Sequence, residues 1–183
     1  MNATIAAELQ EWKAIFKEEL LSQLEELRAD NDIYGFAVEV PDDLANLGII
    51  TSIGRESQLI GEKPGSLQWL DRRYSPHEWQ FLPNAKPYGR SCDRLEEMCR
   101  RYRSVFIAAD SSEYTPEGLE FRDALYSTCL DVMSECDAAG AFGSIWFKII
   151  ILSDDEHPIV RESFHRLNRG RSLKEAARLY ETE

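Results

Sequence analysis

From Thr4 to Ala29 the apolar residues Ile5, Leu9, Trp12, Phe16, Leu20, Leu24 and Leu27 recur every three or four positions. That period follows the 3.6-residue turn and predicts a long amphipathic helix, with Glu8, Glu11, Glu18, Glu19, Glu25 and Glu26 on its other face. Asn31 and Asp32 end the pattern. Ile33–Val40 is β-branched and aromatic and stops at Pro41-Asp42-Asp43, a strand closed by a turn. Leu47–Ile53, closed by Gly54, reads as a second strand, and the two together as an antiparallel hairpin.

The middle of the chain is less regular. Gly61–Gly65 is a turn, and Leu67–Arg73 fits either a strand or the end of a helix. Ser75-Pro76-His77-Glu78 has the form of a helix start, Ser as N-cap and Pro in the first turn, for a short helical piece ending near Phe81. After a loop over 83–89, Ser91–Ala108 carries Leu95, Met98, Cys99, Tyr102 and Phe106 on one stripe of a helix. Thr115 and Pro116 start another, with Leu119, Leu125, Cys129, Leu130, Val132 and Met133, which Gly140 and Gly143 end.

Ser144–Leu152 is apolar on both faces and predicts a strand central in its sheet. Ile159–Leu167 follows as a helix, and Ser172 caps a last one running to Tyr180. The order helix, strands, helices, strand, helices predicts an α+β fold with an antiparallel or mixed sheet covered by helices. A length of 183 residues suits a single domain over 1–183.

Charge narrows the classes of function. Acidic residues outnumber basic ones 33 to 21, for a net charge of −12. Nucleic-acid binding needs a basic surface that releases counterions, and this field opposes it. The basic residues Arg161, Arg166, Arg169, Arg171, Lys174 and Arg178 near the end, and Arg90, Arg94, Arg100, Arg101 and Arg103 earlier, read as solvated helix faces paired with acids such as Glu96 and Glu97. No apolar run reaches the roughly 18 residues of a membrane span. Met1–Glu11 lacks the basic start and apolar centre of a signal peptide, which predicts a soluble, cytoplasmic protein with reduced thiols.

Cys92/Cys99 and Cys129/Cys136 are each seven residues apart. On a helix that is about 10.5 Å along the axis, too far for one pair to chelate one zinc or form a disulfide. They read as small core residues on two helices able to pack together, with a zinc site assembled across helices or a redox role as the alternatives. Ala138–Gly143 is glycine-containing, but it closes a helix and precedes a strand, the reverse of a phosphate loop. Asp154, Asp155 and His157 follow the late strand and form the metal-ligating candidate, with His77 or Arg73 as further members. The competing reading is that acidic groups before Pro158 cap a helix. Trp69, Trp79 and Trp146 are candidates to line a small-ligand pocket. No local catalytic signature is present, so a non-enzymatic role leads and no cofactor is implied.

Three stretches carry a resemblance: Arg72-Arg73-Tyr74-Ser75-Pro76-His77-Glu78-Trp79, Ile149-Ile150-Ile151-Leu152-Ser153-Asp154-Asp155 and Glu162-Ser163-Phe164-His165-Arg166-Leu167-Asn168. An aromatic-Ser-Pro-x-Glu-Trp motif, an apolar strand ending in Ser-Asp and a final Ser-x-x-x-Leu-Asn resemble a mostly bacterial domain-of-unknown-function family. Tyr34–Ala37 and the acidic first helix fit it as well. The family implies no activity and no site residues. It is loosely similar to Smi1/Knr4-like toxin-immunity proteins, which implies binding to a basic partner such as a toxin domain. The exposed face of the first helix, Glu8, Glu11, Glu18 and Glu25, is then the candidate contact. Of the motif residues, Trp79 is expected to plug the sheet edge, and Asn168 before Arg169-Gly170 to close its helix in a left-handed conformation.

Overall fold

The computed structural model describes residues 1–41, 48–81, 88–109, 113–152 and 157–181. Helix α1 spans Ala3–Leu27, and the Asn2 side chain caps it by accepting the Ile5 N–H. Strands β1 (Ile33–Val40) and β2 (Ile50–Arg55) form the expected antiparallel hairpin. A 3₁₀ turn follows at Glu56–Leu59, and Leu67–Tyr74 resolves as helix α2, capped by Ser66. A second 3₁₀ turn, Pro76–Glu78, leads into a two-residue strand β3 (Gln80–Phe81). Helices α3 (Gly89–Arg101), α4 (Arg103–Phe106) and α5 (Pro116–Ala138) precede strand β4 (Phe147–Leu152), and α6 (Pro158–Leu167) and α7 (Arg171–Tyr180) complete the α+β fold.

The sheet is mixed, in the order β3-β2-β1-β4, with β4 parallel to β1. Helix α1 packs on α3 and α5, α5 on α6, α6 on β4, and α7 on both α2 and α6. Trp12, Phe16 and Leu20 of α1, Phe121 and Leu125 of α5, and Phe36 and Val38 of β1 are fully buried. Side chains of this size each remove about 1.5–3 kcal/mol worth of apolar surface from water, which is what the 3.6-residue pattern of α1 encodes.

Several expectations are corrected. The run Ser91–Ala108 is two helices, broken at Tyr102, whose φ of −102° and ψ of 16° leave the helical region. Gly54 lies inside β2, not at its end, and pairs with Gly35. Ser75 makes no side-chain cap. The last helix begins at Arg171, and the Ser172 hydroxyl donates to the Arg169 carbonyl.

The largest correction concerns β4, which is apolar on both faces and yet sits at the sheet's edge. Its outward backbone groups are taken by side chains of α6 and the residue after it. Asn168 Oδ1 accepts the Lys148 N–H at 3.0 Å, and its Nδ2 donates to the Lys148 carbonyl at 2.6 Å. Ser163 Oγ accepts the Ile150 N–H at 3.0 Å. Lys148 and Ile150 are alternate residues, so both face away from β1. The side chains thus stand where a fifth strand would, and the edge is buried without one. Asn168 itself is extended (φ −114°), and the positive φ belongs to Gly170 at 58°.

Candidate functional site

The residues Arg72–Trp79 converge on the C-terminal end of α2, where the last carbonyls of a helix have no partner within the helix. The Ser75 N–H takes Asp71 O. The next three carbonyls each accept from a different aromatic side chain: Arg72 O from Trp79 Nε1 at 3.0 Å, Arg73 O from the Tyr34 hydroxyl at 2.9 Å, and Tyr74 O from the Tyr180 hydroxyl. Trp79 lies on the face of the hairpin, not at its edge as expected. A Cβ on Gly35 would stand 2.5 Å from its ring, and one on Gly54 2.9 Å. Those two glycines are cross-strand partners, so the Trp79 ring rests on a floor without side chains. Between Ile33 and Gly35 the register shifts, making Tyr34 the extra residue of a bulge.

Inside this cluster lies Arg73, 5% exposed. Its guanidinium carbon is 4.6 Å from the centre of the Tyr34 ring, 4.9 Å from Trp69 and 5.0 Å from Trp146. Both terminal nitrogens donate to Glu56, at 3.1 and 2.6 Å, while the buried Nε has no partner. Glu56 keeps 49% of its side chain exposed. Beside it, Arg171 pairs with Glu175 at 2.6 Å and lies over Trp146, and Glu175 accepts the Tyr74 hydroxyl at 2.6 Å. Burial, with the Glu175 hydrogen bond second, pushes the Tyr74 hydroxyl well above its ordinary pKa. Trp69, Trp79 and Trp146 are therefore linked through Tyr34 and Tyr74, and Arg73 fills the space between Tyr34, Trp69 and Trp146. Arg73 and the tryptophans were legible as candidates. Glu56, Arg171 and Glu175 were not, because they reach the cluster from a 3₁₀ turn and from the last helix, and no spacing links those segments to Arg73.

The candidate contact residues of α1 divide into two groups. Glu8 has 11% of its side chain exposed and accepts from Arg101, Arg94 and the Tyr102 hydroxyl. Glu11, Glu18 and Glu25 have 68%, 67% and 73% exposed, each with one arginine: Arg94, Arg90 and Arg28. Glu19 accepts the N–H groups of Arg90 and Ser91 and the Ser91 hydroxyl, placing a carboxylate at the N-terminus of α3. Arg90, Arg94 and Arg101 of α3 thus reach the acidic stripe of α1, and Arg94 and Arg101 also pair with Glu97, the neighbour that spacing predicts.

Of the metal-ligating candidates, Asp154 and Asp155 lie outside the described residues. His157 is the N-cap of α6: its Nδ1 accepts the Ile159 N–H at 3.2 Å, which puts the ring proton on Nε2, 3.2 Å from Asp123 Oδ1. Among the described residues no group of three His, Cys, Asp or Glu side chains is arranged to hold a metal ion. All four cysteines are free thiols. Burial raises Cys99 to about 12. Burial also raises the pKa of the Tyr88 hydroxyl, against the lowering by its hydrogen bond with Thr51. Tyr88 and Thr51 both donate to Gln23 Oε1, at 2.9 and 2.8 Å, in the core.

A family model described as a domain of unknown function, DUF4303, matches residues 14–169, most of the chain. The chain belongs to the DUF4303 family. Searches of curated proteins and of solved structures gave no match. The DUF4303 match takes in Arg73 with Tyr34, Trp69 and Trp146 and the Ser163–Asn168 seal of β4, and leaves out all of α7, which supplies Tyr180 and Glu175. No described helix is long and apolar enough to cross a membrane.

Proposed function

We propose that this DUF4303 protein is a non-enzymatic interaction module whose acidic surface docks on a basic protein partner, as an immunity-type inhibitor docks on a toxin domain. One observation carries the reading. Where α1 meets α3, the four carboxylates of Glu8, Glu11, Glu18 and Glu97 share the three guanidinium groups of Arg90, Arg94 and Arg101, and Glu19 takes the backbone N–H groups at the start of α3. The outer row, Glu11, Glu18 and Glu25, seven residues apart along one stripe, is the solvent-exposed part of this acidic face. Glu8 belongs to the inner layer and anchors α3.

Exposed pairs of this kind are worth about 0–1 kcal/mol. Exchanging Arg90 or Arg94 for a lysine or arginine of a partner therefore costs little, while the net −12 speeds encounter with a basic surface. The resemblance to immunity proteins and the absence of a local catalytic signature in the sequence favour the same role.

The test is capture of the product of an adjacent gene, or of a basic protein from the native host, over a salt titration. The complex should weaken steeply between about 50 and 300 mM salt, and the triple variant E11Q/E18Q/E25Q should lower the association rate at least tenfold. A partner held equally at low and high salt, and equally by the variant, refutes the acidic docking surface.

A further inference from the structure

The aromatic cluster holds a feature its structural roles do not use. Capping α2 needs the rings of Tyr34, Trp79 and Tyr180, and packing needs their faces; neither needs a buried charge at position 73. A buried ion pair replaced by apolar side chains of similar volume is commonly neutral or stabilising, so a guanidinium here calls for another reason. Two details point the same way. The Arg73 Nε is buried and bare, which costs about 1–3 kcal/mol as an unmet donor. Its one anion, Glu56, comes from a four-residue 3₁₀ turn and is half in solvent, so the carboxylate can swing outward without opening the core.

We propose that Arg73, walled by Tyr34, Trp69 and Trp146, is the anchor of a binding site for a small organic carboxylate with a planar or aromatic body, and that Glu56 occupies this site as a built-in substitute. The incoming carboxylate takes the two terminal N–H groups that Glu56 now holds, in the same forked geometry. Trp146 is only partly buried and is the wall that the body of the ligand would meet, and Arg171 above it adds a second positive charge. No bond is made or broken; the event is exchange of one carboxylate for another. The site shares no side chain with the α1 stripe.

The experiment titrates benzoate, with benzamide as the neutral match in shape, and reads tryptophan fluorescence, since Trp69, Trp79 and Trp146 all adjoin the cluster. In wild type, benzoate competes with Glu56 and should give a weak but saturable change. In E56A, and in E56Q should E56A not fold, the dissociation constant should fall at least tenfold, while benzamide stays silent. R73K, which keeps the charge but loses the fork, should bind at least tenfold more weakly than wild type. A benzamide response equal to that of benzoate overturns the proposal. So does a folded E56A or E56Q with no saturable response, or, if neither variant folds, silence in wild type.

Discussion

Asn168→Ala tests the sealed edge of β4. The Asn168 side chain is fully buried and makes three hydrogen bonds, to the N–H and carbonyl of Lys148 and to the Phe164 carbonyl at 2.9 Å. Truncation leaves the two Lys148 groups unpaired under α6. A buried backbone group without a partner costs about 1–3 kcal/mol, so the pair costs about 2–6, with the low end reached if water enters the vacated volume. Against a total stability of about 5–15 kcal/mol, a loss near 3 is a large share. In urea unfolding, with a slope of about 2 kcal/mol/M, the midpoint should fall by about 1.5 M at unchanged slope. Ser163→Ala removes the acceptor of the Ile150 N–H, while the Val160 carbonyl it donates to lies within α6 and the Ile150 carbonyl is 3.4 Å away, so it should cost about half as much. Asn168→Asp keeps the acceptor for Lys148 N–H but turns an oxygen toward the Lys148 carbonyl, so it should be worse than alanine. A loss below about 1 kcal/mol for Asn168→Ala, or a milder Asn168→Asp, refutes the view that these side chains replace a strand.

Gly35→Ala should destabilise by about 2 kcal/mol or more, since its Cβ meets the Trp79 ring at 2.5 Å, and pairing it with Trp79→Ala should recover part of that loss in a double-mutant cycle read by thermal melts. Gly118→Ala brings a Cβ to 2.1 Å from the Phe106 carbonyl and should lower the melting temperature more than alanine at exposed Glu117. Glu135 accepts from Lys13 and Lys17, both at 2.7 Å, and those hydrogen bonds lower its pKa to about 2. Its folded value lies below the unfolded one, so its contribution is complete above pH about 4.5 and is lost as pH falls toward 2; Glu135→Gln should flatten the acid limb of stability against pH. Burial raises all four thiols, so a thiol reagent at pH 8 should label native protein slowly and urea-unfolded protein fully.

Periodicity carried the long elements. The stripe from Ile5 to Leu24 marks α1 and its buried face, and the β-branched run Ile33–Val40 coincides with β1. Composition misled at β4, because a strand buried on both faces is ordinarily central, whereas here α6 and two polar side chains cover its outer edge. That device is written in Ser163 and Asn168, but only the three-dimensional register of Lys148 and Ile150 gives it meaning. Likewise, Gly54 looks like a stop until Trp79 is seen lying on it. The cluster around Arg73 was visible in part, through its aromatic residues. Its acidic members were invisible, because Glu56 and Glu175 reach it from a 3₁₀ turn and the last helix, and long-range pairing leaves no local pattern.

The hydroxyl of Tyr180 on the Tyr74 carbonyl ties the last helix to the segment that the family match shares. A fragment cut at residue 169 would therefore shed the clasp of α2, along with the Glu175 carboxylate that steadies Tyr74. Its Arg72–Trp79 segment would be left to fray at one end. Expression boundaries for this chain follow the reach of Tyr180 better than they follow the limits of sequence similarity.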